Sequence, residues 1–216
     1  MSTSPTYDIR TNLIDVAESL FAERGYFGTS IRDITSAAGE RLAAVNYHFE
    51  SKEGLFRAVI DRRAPIISHD RKALILAIDH NGPADALFVR QMVEAILSPL
   101  MHRAATGDQG WNNYARLIAA VAGTRLWSEE IMSKYFNEPV RLFVEKMMKA
   151  FPHCDEYTVL NMYQFTVGEM AYLCAQNGRM ESISSGRYSS TDLKKLYDKA
   201  VRFITGGILS LAEDRD

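Results

Sequence analysis

Apolar positions recur at helical spacing along almost the whole chain. Ile9, Leu13, Val16, Ala17, Leu20 and Phe21 form one stripe, which predicts a helix over residues 8–24 ended by Gly25. Tyr26 and Phe27 are expected to pack beneath the next two helices. From Thr29 to Phe56, TSIRDITSAAGERLAAVNYHFESKEGLF, the pattern shortens to two brief helices and the start of a third. Ser30 with Asp33 predicts a capping box, Ile31, Ile34 and Ala38 share a face, and Gly39 supplies the left-handed residue that stops the helix. Residues 41–48 make the second short helix. Ser51 caps the third, which carries Leu55, Phe56, Val59 and Ile60. Helix, glycine-containing turn, helix is the plan whose second helix enters the DNA major groove.

Pro65 removes a backbone donor and is expected to break the third of these helices; the pattern resumes over 66–78. Asn81-Gly82-Pro83 is a stop and restart. Helices are then expected over 84–105 and 111–125. Another should be capped by Ser128, with Glu129 and Glu130 in its first turn, where the helix dipole favours carboxylates. Pro139 predicts a break before a continuation over 140–151. Long helices over 155–176 and 191–212 come next, separated by a polar loop at 182–190; Ser189 and Asp192 suggest a second capping box for the last. No stretch alternates as a strand does, so the fold class is all-α. The expected division is a Ser-, Thr- and Pro-rich disordered N-terminus at 1–7, a three-helix helix-turn-helix domain at 8–63 and a C-terminal helical bundle at 64–216.

The run GTSIRDITSAAG followed by NYHFESKEGLF resembles the DNA-binding signature of the TetR-type transcriptional regulators. The matching residues are Thr29-Ser30, Arg32-Asp33-Ile34, Ala38-Gly39, His48-Phe49 and Ser51-Lys52-Glu53-Gly54-Leu55. The chain departs from the commonest pattern at residues 40–47, ERLAAVNY, where Val-Ser-Lys/Arg-Gly-Thr-Leu-Tyr is more usual. Specific resemblance covers about residues 8–62. It implies a homodimeric regulator, most often a repressor, whose N-terminal domain reads a pseudo-palindromic operator. It also implies that the C-terminal bundle binds a small effector, dimerises, and moves the fourth helix as a lever.

Composition changes this picture little. The chain has 216 residues, 47% of them apolar and 24% charged, an ordinary globular composition with net charge −2. Basic and acidic residues nearly balance over 1–63, so any attraction to DNA has to come from a local basic face. Cys154 and Cys174 lack metal-ligand spacing, and no apolar run is long enough to span a bilayer. No secretion signal is visible, and the expectation is a cytoplasmic protein without cofactor, metal or membrane partner.

For DNA, the candidate residues are Arg41, Leu42, Ala44, Asn46, Tyr47 and His48, with Thr29, Ser30 and Lys52. Arginine reads guanine bidentately, asparagine suits adenine, and Leu42 and Ala44 are placed to touch thymine methyls. Tyr47, His48, Lys52 and Thr29 are the phosphate candidates, Lys52 because it opens a helix. In the bundle, Met92, Met101, Trp111, Tyr114, Trp127, Phe143, Met147, Tyr163 and Met170 compose either an ordinary core or the wall of a pocket for an apolar or aromatic molecule. Arg116, Arg125, His102 and Glu169 are the polar residues nearby. The last two long helices are apolar on more than one face. The family plan makes them a four-helix dimer interface, with Tyr163, Val167, Ala171, Val201, Ile204 and Ile208 as the expected contacts. No catalytic order of Ser, His and Asp, glycine-rich phosphate loop or HExxH is present, so an enzyme is not expected. A helical small-molecule carrier without DNA binding is the alternative.

Overall fold

The structure, a computed structural model, describes residues 8–80 and 82–213. The expected disordered terminus and the Asn81 end of the stop signal lie outside the described residues. Every described element is helical: α1 Ile9–Arg24, α2 Ile31–Ala38, α3 Leu42–Phe49, α4 Lys52–Asp61, α5 Ala64–Ala77, α6 Ala86–Thr106, α7 Gln109–Ala122, a one-turn α8 Arg125–Trp127, a π-turn Ser128–Met132, α9 Ser133–Ala150, α10 Glu156–Cys174, a short α11 Arg179–Ile183 and α12 Leu193–Glu213. The chain divides into two compact units, the break in sequence falling between Ala64 and Pro65.

In the first unit α1 packs against α2 and α4, and α3 packs against α2 and α4. Leu13, Ala17 and Phe21 of α1, Ile34 of α2, Val45 of α3, and Leu55, Phe56, Val59 and Ile60 of α4 are buried together as its core. Phe21 meets Phe56 edge-on at 5.2 Å, and Tyr26 meets Phe56 at 5.0 Å. Phe27, expected underneath, is 78% exposed. The two aromatics are adjacent in sequence, and the turn after Gly25 directs only the first inward. A buried carboxylate, Glu18, joins α1 to the end of α4: Arg63 donates to its two oxygens at 3.0 and 3.3 Å, and Arg62 pairs with both Glu18 and Asp15.

Local signals set the helix ends. Ser30 accepts from the Asp33 amide at 3.1 Å while the Asp33 carboxylate accepts from the Ser30 amide at 2.8 Å, the expected capping box. Gly39 adopts φ 70° and ψ 24°, the left-handed conformation that closes α2. Between α3 and α4 the turn is tight. Glu50 has φ 66° and ψ −39°, and the Ser51 amide donates to the Phe49 carbonyl at 2.7 Å, as in a γ-turn. Positive φ in a non-glycine residue is costly and persists only where the surroundings impose it.

In the second unit α6 packs against α7, α10 and α12, and α10 packs also against α7, α9 and α12. Both prolines within these helices are accommodated. Pro139 does not break α9, contrary to the sequence expectation. The carbonyl it leaves without an i+4 amide is that of Tyr135, and Ser68 of α5 donates its hydroxyl to that oxygen. The helix expected to start at Ser128 instead begins with α8 and the π-turn, and the proposed cap there rests on a side chain outside the described residues. For α12 the cap is Asp192, which accepts from the Lys195 amide at 3.2 Å. Ser189 has another use: its hydroxyl donates to Glu181 at 2.8 Å, drawing the preceding loop back to α11.

The tightest backbone approach in the first unit is at Gly54. A Cβ there would lie 2.0 Å from the Phe49 carbonyl oxygen and 3.2 Å from its carbon. In an open helix, Gly→Ala stabilises by about 1 kcal/mol. Here Gly54→Ala is expected to lower stability by about 1–3 kcal/mol, as overpacking does, because α3 has to move off α4. Urea denaturation decides the sign; an alanine variant more stable than wild type contradicts the close approach.

Candidate nucleic-acid interface and ligand cavity

The geometry of α3 divides its residues cleanly. Val45 and Phe49 point into the core, while Arg41, Leu42, Ala43, Asn46 and Tyr47 are exposed and Ala44 and His48 are half-buried. Leu42 and Asn46, and Ala43 and Tyr47, are spaced by four, so these pairs share the outward side of the helix. Arg41 occupies the N-cap position, yet its side chain makes no capping bond. Tyr47 is 84% exposed and meets His48 edge-on at 4.9 Å.

The flanking candidates separate into two kinds. Thr29 is 1% exposed, and its hydroxyl is placed to donate to the carbonyls of Gly25 at 2.9 Å and Leu20 at 3.2 Å. It closes the end of α1 and presents nothing outward, which corrects its expected role at phosphate. The sequence could not separate these uses, because a threonine before a helix serves equally as cap or contact. Ser30 is exposed, but its oxygen is committed to the capping box. Asp33, bonded by the hydroxyl and amide of Ser30, is held below the usual carboxylate range. Lys52 stands at the first position of α4 with its ammonium 4.1 Å from the centre of the Tyr26 ring. Partial burial pushes its pKa down, and the charge of Asp33 opposes this. The cation–π contact fixes a side chain that otherwise samples many rotamers.

In the second unit, the nine residues expected to wall a pocket separate likewise. Tyr114 and Met170 line a cavity of about 20 Å³, with Ile67, Arg71, Leu100, Ile118, Ala119, Ala122, Met132, Phe136, Val167, Ala171 and Cys174. Met92, Met101, Phe143 and Met147 are fully buried core residues away from it, and Trp111, Trp127 and Tyr163 also fall outside the lining. Periodicity marks a residue as buried without saying which side of its helix meets a void. Arg116, Arg125, His102 and Glu169 are absent from the lining too. Its one charged member is Arg71 of α5, 3% exposed. Burial also pushes the Cys174 thiol up to about 12, so it stays protonated.

The residues expected at a dimer contact differ in burial. Val201, Ile204 and Ile208 are buried within the protomer, on α12, which packs against α6. Tyr163, Val167 and Ala171 are half-buried, the last two lining the cavity. The outward side of the adjacent helices α10 and α12 carries Leu160, Phe165, Tyr172 and Phe203, with Gly206 and Gly207 beside the last. Sequence periodicity finds both sides of such a helix apolar and does not rank them.

Two family models match the chain. One, described as bacterial regulatory proteins of the tetR family, covers residues 13–59; the other, a tetracyclin repressor-like C-terminal domain, covers residues 94–207. Among curated proteins, the HTH-type transcriptional repressor KstR2 of Rhodococcus jostii is 45% identical over 129 residues, 60% of this chain and 53% of that one. The HTH-type transcriptional repressor ComR of Escherichia coli is 43% identical over 53 residues, 24% of this chain and 25% of that one. The matched stretches thus span about half of KstR2 and a quarter of ComR. Among solved structures, the fatty acid degradation regulator FadR of Bacillus halodurans aligns with TM-score 0.61 and 17% identity, over 96% of this chain and 98% of that one. The ketosteroid transcriptional regulator KstR2 of Mycobacterium tuberculosis aligns with TM-score 0.60 and 16% identity, over the same shares. No described helix is long and apolar enough to cross a membrane. The matched N-terminal and C-terminal models, with the helix-turn-helix geometry beneath them, place the chain in the TetR family of bacterial transcriptional regulators.

Proposed function

We propose that the chain is a homodimeric, ligand-responsive repressor that reads a pseudo-palindromic operator through α3 and is released by a small apolar effector bound in the second unit. The observation that carries this reading is the outward face of α3. Arg41, Leu42, Asn46 and Tyr47 project from a helix whose opposite side, Val45 and Phe49, is locked in a core. A helix held that way presents base-reading side chains without losing entropy to its own motion. The Rhodococcus relative is a transcriptional repressor, which supports the sign of regulation. The largely apolar lining of the cavity supports an apolar effector. In this reading Arg41 and Asn46 touch bases, Tyr47 and His48 flank them, and Lys52 meets a phosphate beside the free amides of α4. Ligand and operator are coupled reciprocally: whatever factor the effector takes from operator affinity, operator takes from effector affinity.

Two face-to-face copies are needed to read two half-sites, and the exposed side of α10 and α12 is the surface proposed for the contact. Large side chains such as Phe203, 74% exposed, alternate there with Gly206 and Gly207, which permit close helix approach. This replaces Val201, Ile204 and Ile208 with residues that a partner can reach.

Arg41→Ala and Asn46→Ala are expected to cost about 1–3 kcal/mol against operator while leaving binding to scrambled duplex nearly unchanged. Lys52→Ala should weaken both alike and reduce the salt slope by about one unit. Fluorescence anisotropy across a salt series separates the two patterns. A parallel loss in all three variants overturns the base-reading assignment, and absence of any sequence preference in wild type favours the carrier reading. For assembly, wild type should sediment as a dimer at about micromolar concentration and Phe203→Glu as a folded monomer, since its site is solvent-facing in the protomer. A variant that stays dimeric removes this surface from the interface.

A further inference from the structure

The cavity in the second unit contains one feature that neither packing nor the family explains. Arg71 is buried among apolar side chains, and no carboxylate pairs with it among the described residues. Its Nε donates to the Ile96 carbonyl at 2.9 Å, one Nη2 hydrogen faces the Met170 sulfur at 3.2 Å, and the guanidinium lies 5.2 Å from the centre of the Phe136 ring. Ile96 stands three residues before Pro99, in the turn of α6 that the proline interrupts. The remaining N–H groups of Arg71 have no hydrogen-bonding partner among the described residues. An arginine does not discharge itself by losing a proton, so the site keeps a positive charge in surroundings that solvate it poorly. A methionine would fill the same space without that cost.

We propose that the cavity binds an apolar monocarboxylic acid, with its carboxylate held by Arg71 and its body against Leu100, Ile118, Phe136 and Val167. This rests on the reading of the second unit as the effector domain and specifies the chemistry of the effector. The planar guanidinium offers a fork that matches a carboxylate. A lone cation with no second basic group in the lining matches a single negative charge, which disfavours a phosphate dianion or a nucleotide. The cavity, at about 20 Å³, is at the size that admits one water, so a ligand enters only when a wall moves. The irregular part of that wall is the π-turn Ser128–Met132, whose Met132 lines the cavity and whose backbone departs from the α-helical ladder on either side. Such turns are frequent at functional sites, and one that re-forms as α-helix shifts the residues it carries.

The test uses decanoate and decan-1-ol, which share a body and differ in the charged end, titrated calorimetrically into the 216-residue chain. Wild type is expected to bind decanoate at least about tenfold more tightly than decanol, and Arg71→Met to abolish that preference while leaving decanol affinity within about threefold. Equal binding of the two probes by wild type, no decanoate binding by wild type, or a preference that survives in Arg71→Met overturns the proposal. If Arg71→Met does not fold, Arg71→Gln carries the same comparison, because it keeps an N–H donor for the Ile96 carbonyl and removes the charge. Operator binding, followed in parallel, separates ligand binding at Arg71 from release of DNA. Decanol binding that releases operator while decanoate does neither leaves the effector reading standing and removes the carboxylate. Arg71-dependent decanoate binding that leaves operator affinity unchanged establishes the site and removes the effector reading.

Discussion

An isolated helix of eight residues is not stable in water: below about 12–15 residues, nucleation costs more than propagation returns. The helices α2 and α3 are each eight residues long. Their existence depends on being packed, and the placement of α3 depends on that packing. Ile34, Val45 and Phe49 anchor the pair from inside. The capping box at Ser30, the left-handed Gly39 and the γ-turn at Glu50 then leave the backbone little freedom to place α3 elsewhere. The contact of Gly54 with the Phe49 carbonyl sets α4 against the end of α3 with no side chain between. The helix α3 is therefore a fixed surface on a small core.

That constraint explains why the first unit is so legible in the sequence. Its determinants are local and stereochemical: a Ser with an Asp three residues on, a glycine at a left-handed position, a Ser before a helix. Each sits within a few residues of the feature it causes. The departures there come from residues with two chemically sound uses. Thr29 reads as a phosphate contact and instead closes α1 through its hydroxyl, and Phe27 reads as covered and lies exposed while its half-buried neighbour Tyr26 packs against Phe21 and Phe56.

In the second unit helix existence is legible, whereas the purpose of each face is not. Long apolar helices bury residues on several sides, and spacing alone does not tell core from cavity from partner surface. Val201, Ile204 and Ile208 belong to the protomer core, while Phe165, Tyr172 and Phe203 face outward. Pro139 reads as a break because the sequence does not reveal that Ser68, distant in the chain, satisfies the carbonyl it orphans. Arg71 escapes a sequence reading for a related reason. An arginine on an otherwise ordinary helix normally reaches solvent, and only the fold shows α6 and α10 placed over it. In sequence it stands between Asp70 and Lys72 on a helix that also carries Ile67, Leu74 and Ile75, a setting that does not separate it from a surface position.

Reading of a specific duplex sequence through α3 by two copies of the chain is the proposal on which the others depend. Selection from a pool of randomised duplexes of about three helical turns, long enough for two half-sites about one turn or more apart, tests it on the wild-type 216-residue chain. The expected result is enrichment of an inverted repeat whose half-sites lose definition at particular positions with Arg41→Ala or Asn46→Ala protein. Recovery of a pool with no common motif, or of a single unpaired half-site retained by dimeric protein, would contradict it.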